Sequence, residues 1–514
     1  MNLAEHYPVL LVVLPLFFSF FVLISARFSP RSCVYVSSFC LGLVLFISIR
    51  LLMMVSSVGK VTYFLGRWVP PIGIEYVVDY LNAPILVVIV IVSLLVSIFS
   101  KALIEKEFPN QIHYFYALFL LVVTGLLGMT ITGDVFNLYV LIEIAALSSY
   151  ALLGFGKGKG VYATFNYLIL GTIGACFYLL GVGFLLIKTG TLNMGDLSFL
   201  LTYLMESKAI LLGFGFMIVG MWVKMAFFPV HGWLPNTYTY APIASICLLA
   251  PLMTKVSVYV MLRVMYSIFS VEYIFSFLSI STIIVFLSVV AILMGAFYAL
   301  MQKDLRKMAC YLVVSEIGYM VGGAWLGNAA GLSGAIFHLL ADALMTVCLF
   351  MFIACLLFKY DCVHLDRLPR LFKQMPITMS VFIVVALSLI GVPPLPGFFS
   401  KWYLISGAVE AGQWLFVFAL LFSSLVNAVL FFRIIENCFF SKNEAEGDFQ
   451  LGEGPEHSTG VVIQSNGVSV FSTEVPLSML IPLVISGIMI IGLGLWNQQI
   501  MIQFIYPFLP KEFF

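Results

Sequence analysis

Apolar windows of about 20 residues follow one another along the whole chain, separated by short polar or Gly/Pro breaks, and that is the length a helix needs to cross about 30 Å of hydrocarbon. They fall near 8–25, 33–56, 83–100, 113–132, 135–155, 162–187, 209–228, 242–268, 274–300, 308–327, 331–358, 376–400, 412–435 and 476–497. In lipid every backbone polar group must be satisfied internally, so such windows become helices. With 62% hydrophobic and 10% charged residues over 514 positions, no folded surface could be made polar enough for water. The expectation is an all-α membrane protein of about 14 transmembrane helices. The first window follows the non-basic start MNLAEHY and no small-residue cleavage site closes it, so it should remain as the first helix. With a net charge of +1, nothing in the balance points to nucleic acid or an acidic partner. Nine cysteines lie mostly in apolar runs without Cys-x-x-Cys or His/Cys ligand spacing, so neither a metal, an iron–sulfur cluster nor a disulfide framework is expected.

Alternate loops carry ARFSPR, KALIEK, GKGKG, QKDLRK, KYDCVHLDRLPRLFK and the segment after Arg433, and they hold 15 of the 25 Lys and Arg. The opposite side holds 7 and the membrane 3, which places both termini outside the cytoplasm, the expected setting being a bacterial inner membrane. Residues 1–112 then hold helices 1–3, 113–268 a first block of five helices, 269–440 a second, inverted block of five, 441–475 a flexible cytoplasmic loop, and 476–514 helix 14 and the tail. The fourth helix of each block is broken by proline and carries a lysine: Pro229 with Lys224 in MWVKMAFFPVHGWLP, and Pro393 and Pro394 with Lys401 in GVPPLPGFFSKW. Freed carbonyls at such breaks need water or protein, and breaks at matching places of inverted halves point to a translocation site. The plainer alternative is a pair of structural kinks.

Charges inside these windows are costly, a mid-bilayer lysine by roughly 3 kcal/mol on insertion scales, and are kept where they face a protein interior or a hydrated cavity. Glu143 lies about 12 Å into helix five, with Lys224 as its natural partner. A Glu/Lys pair exchanges protons when its separation changes, whereas a static pair only locks helices. Lys255 is central in helix eight, with Tyr259 one turn on. His338, Asp342 and Thr346 recur at i, i+4 and i+8 of helix eleven as a polar stripe, in which Asp342 is placed to orient the His338 proton. A helix–helix hydrogen-bond contact is the competing reading of that stripe. Glu316 is also deep, with Lys255 and His338 as alternative partners. Asp134 and His231 lie near helix ends and are weaker candidates.

The segments GDVFNLYVLIEIAALSSYALL, KMAFFPVHGWLP, QKDLRKMACYLVVSEIGYM, FHLLADALM and LSLIGVPPLPGFFSKWYL together resemble the antiporter-like, proton-conducting subunits of respiratory complex I, membrane-bound hydrogenases and Mrp-type cation/proton antiporters, most of all the D-type subunit of the Mrp systems. The resemblance spans essentially the whole chain. It implies that Glu143 and Lys224 are the coupling pair, that Lys255, His338 and Lys401 match the family's helix-eight lysine, helix-eleven histidine and helix-twelve lysine, and that other hydrophobic subunits are partners. Thr346 stands where the family usually has a lysine, Asn236 replaces the aspartate of WLPD, and Glu316 replaces a common glutamine. The implied function is proton translocation in a multisubunit Na+/H+ antiporter. The alternative is the same role in an NADH:quinone oxidoreductase or membrane-bound hydrogenase complex. No cofactor is expected, because the chain lacks a nucleotide-binding glycine turn, cluster cysteines and haem ligand pairs, so any redox chemistry would belong to other subunits.

Overall fold

The computed structural model describes residues 3–156, 158–361, 363–368, 371–440 and 474–513. The helices are α1 (Tyr7–Ser25), α2 (Ser32–Val58), α3 (Asn82–Glu107), α4 (Ile112–Ile131), α5 (Val135–Leu153), α6 (Lys159–Thr189), α7 (Met194–Leu201), α8 (Lys208–Met225), α9 (Trp233–Tyr240), α10 (Ile243–Arg263), α11 (Ser281–Met301), α12 (Leu305–Ala324), α13 (Ala329–Tyr360), α14 (Leu371–Gln374), α15 (Pro376–Ile390), α16 (Pro396–Glu410), α17 (Trp414–Phe440), α18 (Leu477–Leu495) and α19 (Asn497–Ile500). A short hairpin, β1 (Val61–Phe64) with β2 (Glu75–Val78), is antiparallel and pairs Val61 with Val78. Nothing in the helix-by-helix sequence reading anticipates it.

Twelve helical stretches among the described residues are long and apolar enough to cross a membrane, so the protein is a multi-pass integral membrane protein. The expected fourteen adds two elements outside those twelve. One is α12, whose apolar run is interrupted by Glu316 and several glycines. The other is the broken pair α15/α16, two pieces of 15 residues each. The window expected at 376–400 thus ends later, at Glu410. Of the 441–475 loop, only Glu474 and Val475 lie within the described residues. Glu474 accepts hydrogen bonds from the Ile377 N–H (2.7 Å) and the Thr378 hydroxyl (2.7 Å), capping the start of α15.

The most apolar windows of α10 and α13 are completely buried, whereas well under half of the residues in those of α1, α2 and α6 are buried. The polar stripe of His338, Asp342 and Thr346 therefore sits on α13 and Lys255 on α10, the two most enclosed helices. Close approach depends on glycine at a few points: a Cβ on Gly397 would fall 1.8 Å from the Ser388 carbonyl oxygen, so only glycine lets α16 lie against α15 there. The hairpin joins the α4–α5 and α6–α7 turns through the bridges Tyr76–Thr132 and Asp134–Asn193, while Asp304–His364 and Lys106–Asp361 gather loops at the other end. These contacts group the α2–α3, α4–α5 and α6–α7 connections at one end and the α3–α4, α11–α12 and α13–α14 connections at the other.

Candidate functional site

Both broken helices end their first half on a left-handed residue, Ala226 (φ 60°) after α8 and Gly391 (φ 98°) after α15. Beyond the cap bonds from the Ala226 N–H to Trp222 and from the Gly391 N–H to Leu387, the helical ladder stops at these breaks, and that end of a helix carries partial negative charge. Lys224 lies in the last turn of α8. Lys401 begins on the far side of its break, in α16, and reaches back: its Nζ donates to the carbonyl oxygens of Leu389 (2.8 Å) and Ile390 (3.2 Å) and to Ser424 Oγ (3.0 Å). Both ammonium-bearing side chains thus belong to the carbonyl end of a half-helix, although the two lysines are not at equivalent positions in the chain. The Tyr319 ring lies 5.4 Å from the Lys401 Nζ, and no carboxylate among the described residues pairs with it.

Glu143 and Lys224 meet as expected, at 3.6 Å. The separation is an ion pair but longer than a hydrogen bond, and neither Lys224 Nζ nor Glu143 Oε1 has a hydrogen-bond partner among the described residues. The Lys224 side chain is 4% exposed and that of Glu143 22%, so the carboxylate stands at the flank of the bundle rather than in its middle. Tyr150 and Tyr167, packed ring edge to ring face at 4.8 Å, also keep buried hydroxyls without partners.

Deeper in the bundle Lys255 Nζ lies 2.9 Å from Asp342 Oδ2 and 3.2 Å from Thr346 Oγ1, and Thr346 donates to Asp342 Oδ1 at 2.7 Å. Lys255, Asp342 and Thr346 are buried. A hydroxyl is the right group at position 346, since it accepts from the ammonium and donates to the carboxylate at once. A second lysine there would crowd two cations onto one aspartate.

Glu316 selects the histidine of its two alternatives. His338 Nε2 is 2.6 Å from Glu316 Oε2, and His338 Nδ1 is 2.9 Å from Ser400 Oγ. The expectation that Asp342 orients the His338 proton is corrected: Glu316 does, and Asp342 serves Lys255. The reason is helical rotation, since each i to i+4 step turns the stripe by about 40°, carrying it from α12 and α16 at His338 round to α10 at Asp342 and Thr346. Ser400 Oγ also lies 3.1 Å from the Gly397 carbonyl oxygen. If its single hydrogen goes there, Nδ1 must be the donor to Ser400, and the Nε2–Glu316 contact then holds one further proton shared between base and acid.

The weaker candidates separate from these groups. Asp134 caps α5, accepting from the Asn137 N–H at 2.6 Å. His231 stacks on Phe228 beside the break, without an ion-pair partner among the described residues. Two features escaped the sequence reading. One is the polar face of α17, with Ser423 bonded to Tyr319, Ser424 to Lys401, and Asn427 donating to the Leu389 carbonyl oxygen. The run FSSLVN was its visible signal. The other is Arg263, which binds Asp79 through both terminal nitrogens at 2.6 and 2.9 Å. Burial pushes the Asp79 carboxyl up, but Arg263 and the N–H groups of Leu81 and Asn82 outweigh it and hold it below the usual carboxylate range. Arg263 stands at a helix end, where an arginine ordinarily reads as interfacial.

A family profile described as "NADH:quinone oxidoreductase/Mrp antiporter, TM" matches residues 132–427, which contain each of these groups except Asp79. The chain is 39% identical over 509 residues to the N subunit of the NADH-quinone oxidoreductase of Desulforudis audaxviator, covering 99% of both chains. It is 28% identical over 387 residues to the D subunit of the Na(+)/H(+) antiporter of Bacillus subtilis, covering 75% of this chain and 77% of that one. Its fold superposes on a chain of the Mrp complex from Dietzia sp. DQ12-45-1b with a TM-score of 0.84, at 24% identity, covering 99% and 97% of the two chains.

Proposed function

Given that the chain belongs to the NADH:quinone oxidoreductase/Mrp antiporter membrane family, we propose that it translocates protons as one subunit of a multisubunit monovalent cation (Na+)/proton antiporter. The observation that carries this is the buried triad Lys255–Asp342–Thr346, held at 2.9, 3.2 and 2.7 Å on the two most enclosed helices. A fixed ion pair at that place gains little over apolar packing, because desolvation offsets most of the Coulombic attraction. Its retention fits a group that changes protonation or partner during a cycle.

The path runs through Glu143 and Lys224, then Lys255, Asp342 and Thr346, then Glu316 and His338, and reaches Lys401, with the breaks at Pro229 and at Pro393 and Pro394 supplying free carbonyls. Helices α4–α10 and α11–α17 form its two inverted halves. Both termini lie on the non-cytoplasmic side of a bacterial inner membrane, as the basic loops favour. The partial exposure of Glu143 supports a neighbouring hydrophobic subunit at that flank, since a carboxylate facing acyl chains alone would be unsolvated.

A second reading has its own support. The 39% identity over 99% of both chains to the N subunit of an oxidoreductase favours the same proton path driven by electron transfer in other subunits. Identification of the co-purifying subunits separates the two: flavin and iron–sulfur proteins for the redox complex, small hydrophobic antiporter subunits for the other. For the path itself, Glu143→Ala and Lys224→Ala should each remove nearly all cation-dependent proton flux in everted vesicles while the protein assembles. The double variant should be little worse than either, as for residues acting as one unit. Full flux in Glu143→Ala rules the pair out.

A further inference from the structure

On the face that carries the hairpin, a pocket of about 220 Å³ is lined by Lys60, Glu75, Asp79, Gly195, Arg263 and Ser267. The Asp79–Arg263 pair forms part of its wall, and the guanidinium is fully engaged: Nη1 and Nη2 donate to the two Asp79 oxygens, and Nε donates to Tyr259 Oη at 3.0 Å. The Tyr259 hydroxyl in turn donates to the Thr130 carbonyl oxygen at 2.7 Å. Arg263, Tyr259 and Lys255 stand at i+8, i+4 and i of the buried α10, on one face. A polar stripe therefore leads from the charged pocket to the central Lys255–Asp342 pair. One helical turn, about 6 Å of rise, separates Tyr259 from Lys255. The Lys255 Nζ lies on the side away from Tyr259, 3.4 Å from the Ala250 carbonyl oxygen, so the turn between them is left for water to bridge.

Resting on the proton-path reading above, we propose that this pocket is the outer mouth of the path and that the Asp79–Arg263 pair closes it. A guanidinium keeps its proton at any accessible pH and repels an approaching one, so Arg263 in this position is a barrier and not a carrier. Glu75 lines the same pocket and offers the guanidinium a second anion. When Arg263 moves to it, the freed Asp79 carboxylate can accept the proton. The N–H bond of the Lys255 ammonium breaks, an O–H bond forms on water and then on Asp79, and the proton passes to water in the pocket, leaving Lys255 neutral. A clamp that merely ties the hairpin to α10 would need neither the charged pocket nor the stripe behind it.

The test uses the whole complex in right-side-out membrane vesicles. Gly195 lines the pocket but takes no part in the ion pair, and Gly195→Cys gives a handle for a bulky, membrane-impermeant thiol reagent applied from outside. Labelled Gly195→Cys should lose most of its cation-dependent flux, while wild type given the same reagent keeps it. Arg263→Gln should assemble and leak protons without the coupling cation. Wild-type flux in labelled Gly195→Cys overturns the proposal, as does an assembled Arg263→Gln that is less thermally stable yet proton-tight. If Arg263→Gln does not assemble, the labelling result decides alone. Glu143→Ala in the same vesicles separates the two levels: retained flux there defeats the proton path itself, whereas lost flux together with unblocked labelled Gly195→Cys defeats only the mouth.

Discussion

Thr346 shows how one hydroxyl changes the chemistry of a buried pair. It holds both Lys255 Nζ and Asp342, so Thr346→Val removes two hydrogen bonds to charged groups at nearly constant volume. Bonds of that kind are worth about 1.5–3 kcal/mol each when the partner is charged. We expect Thr346→Val to assemble and to slow proton flux at least several-fold in proteoliposomes containing the complex, and unchanged flux would make the hydroxyl a bystander. Lys401 makes a sharper contrast because two of its three partners are carbonyl oxygens that only a donor satisfies, the third being the Ser424 hydroxyl. Lys401→Arg keeps a cation there but cannot release a proton, arginine staying protonated above about pH 12. The variant should assemble and lose most turnover, as should Lys401→Ala. Rescue by arginine in a vesicle pH-gradient assay would mark a structural cation instead.

Among the helices, the break between α15 and α16 is what brings Lys401 to free carbonyls, and Gly391 sets its geometry. At φ 98° an L side chain is strained, and a Cβ would sit 3.3 Å from Lys401 Cδ. Gly391→Ala should therefore destabilise the protein by roughly 1 kcal/mol and disturb the Lys401 contacts, seen as a lower melting temperature together with reduced flux. An effect on stability alone would show that the break tolerates the shift without consequence for the lysine. The positions of the breaks were legible in the sequence because proline removes a backbone donor wherever it stands. Pairing was less so. Glu143 with Lys224 could be read from depth and opposite charge, but the choice of Glu316 for His338, and of Asp342 for Lys255, depends on how far the stripe of α13 rotates between its neighbours. The seryl and asparagine side chains of α17 gave too weak a polar signal within an apolar window, and the hairpin was hidden because four-residue strands between membrane helices leave almost no periodicity.

Over the whole molecule, two fully enclosed helices hold the central charges while the flanking helices face outwards, and the ionisable groups continue to either side through Glu143 and Lys401. On the proposed path, a proton crossing between those flanks passes the Lys255–Asp342 pair. Cation-dependent proton uptake, followed with a trapped pH dye in proteoliposomes containing the intact complex, decides whether it does. Lys255→Met keeps the apolar stem and removes the titratable group. Combining it with Asp342→Asn removes both charges together and leaves no unpaired carboxylate in the core, so that loss of assembly and loss of transport can be told apart. The doubly neutral protein should assemble and its proton uptake should fall to the level of empty vesicles; uptake at the wild-type rate through that uncharged centre would contradict a path through it.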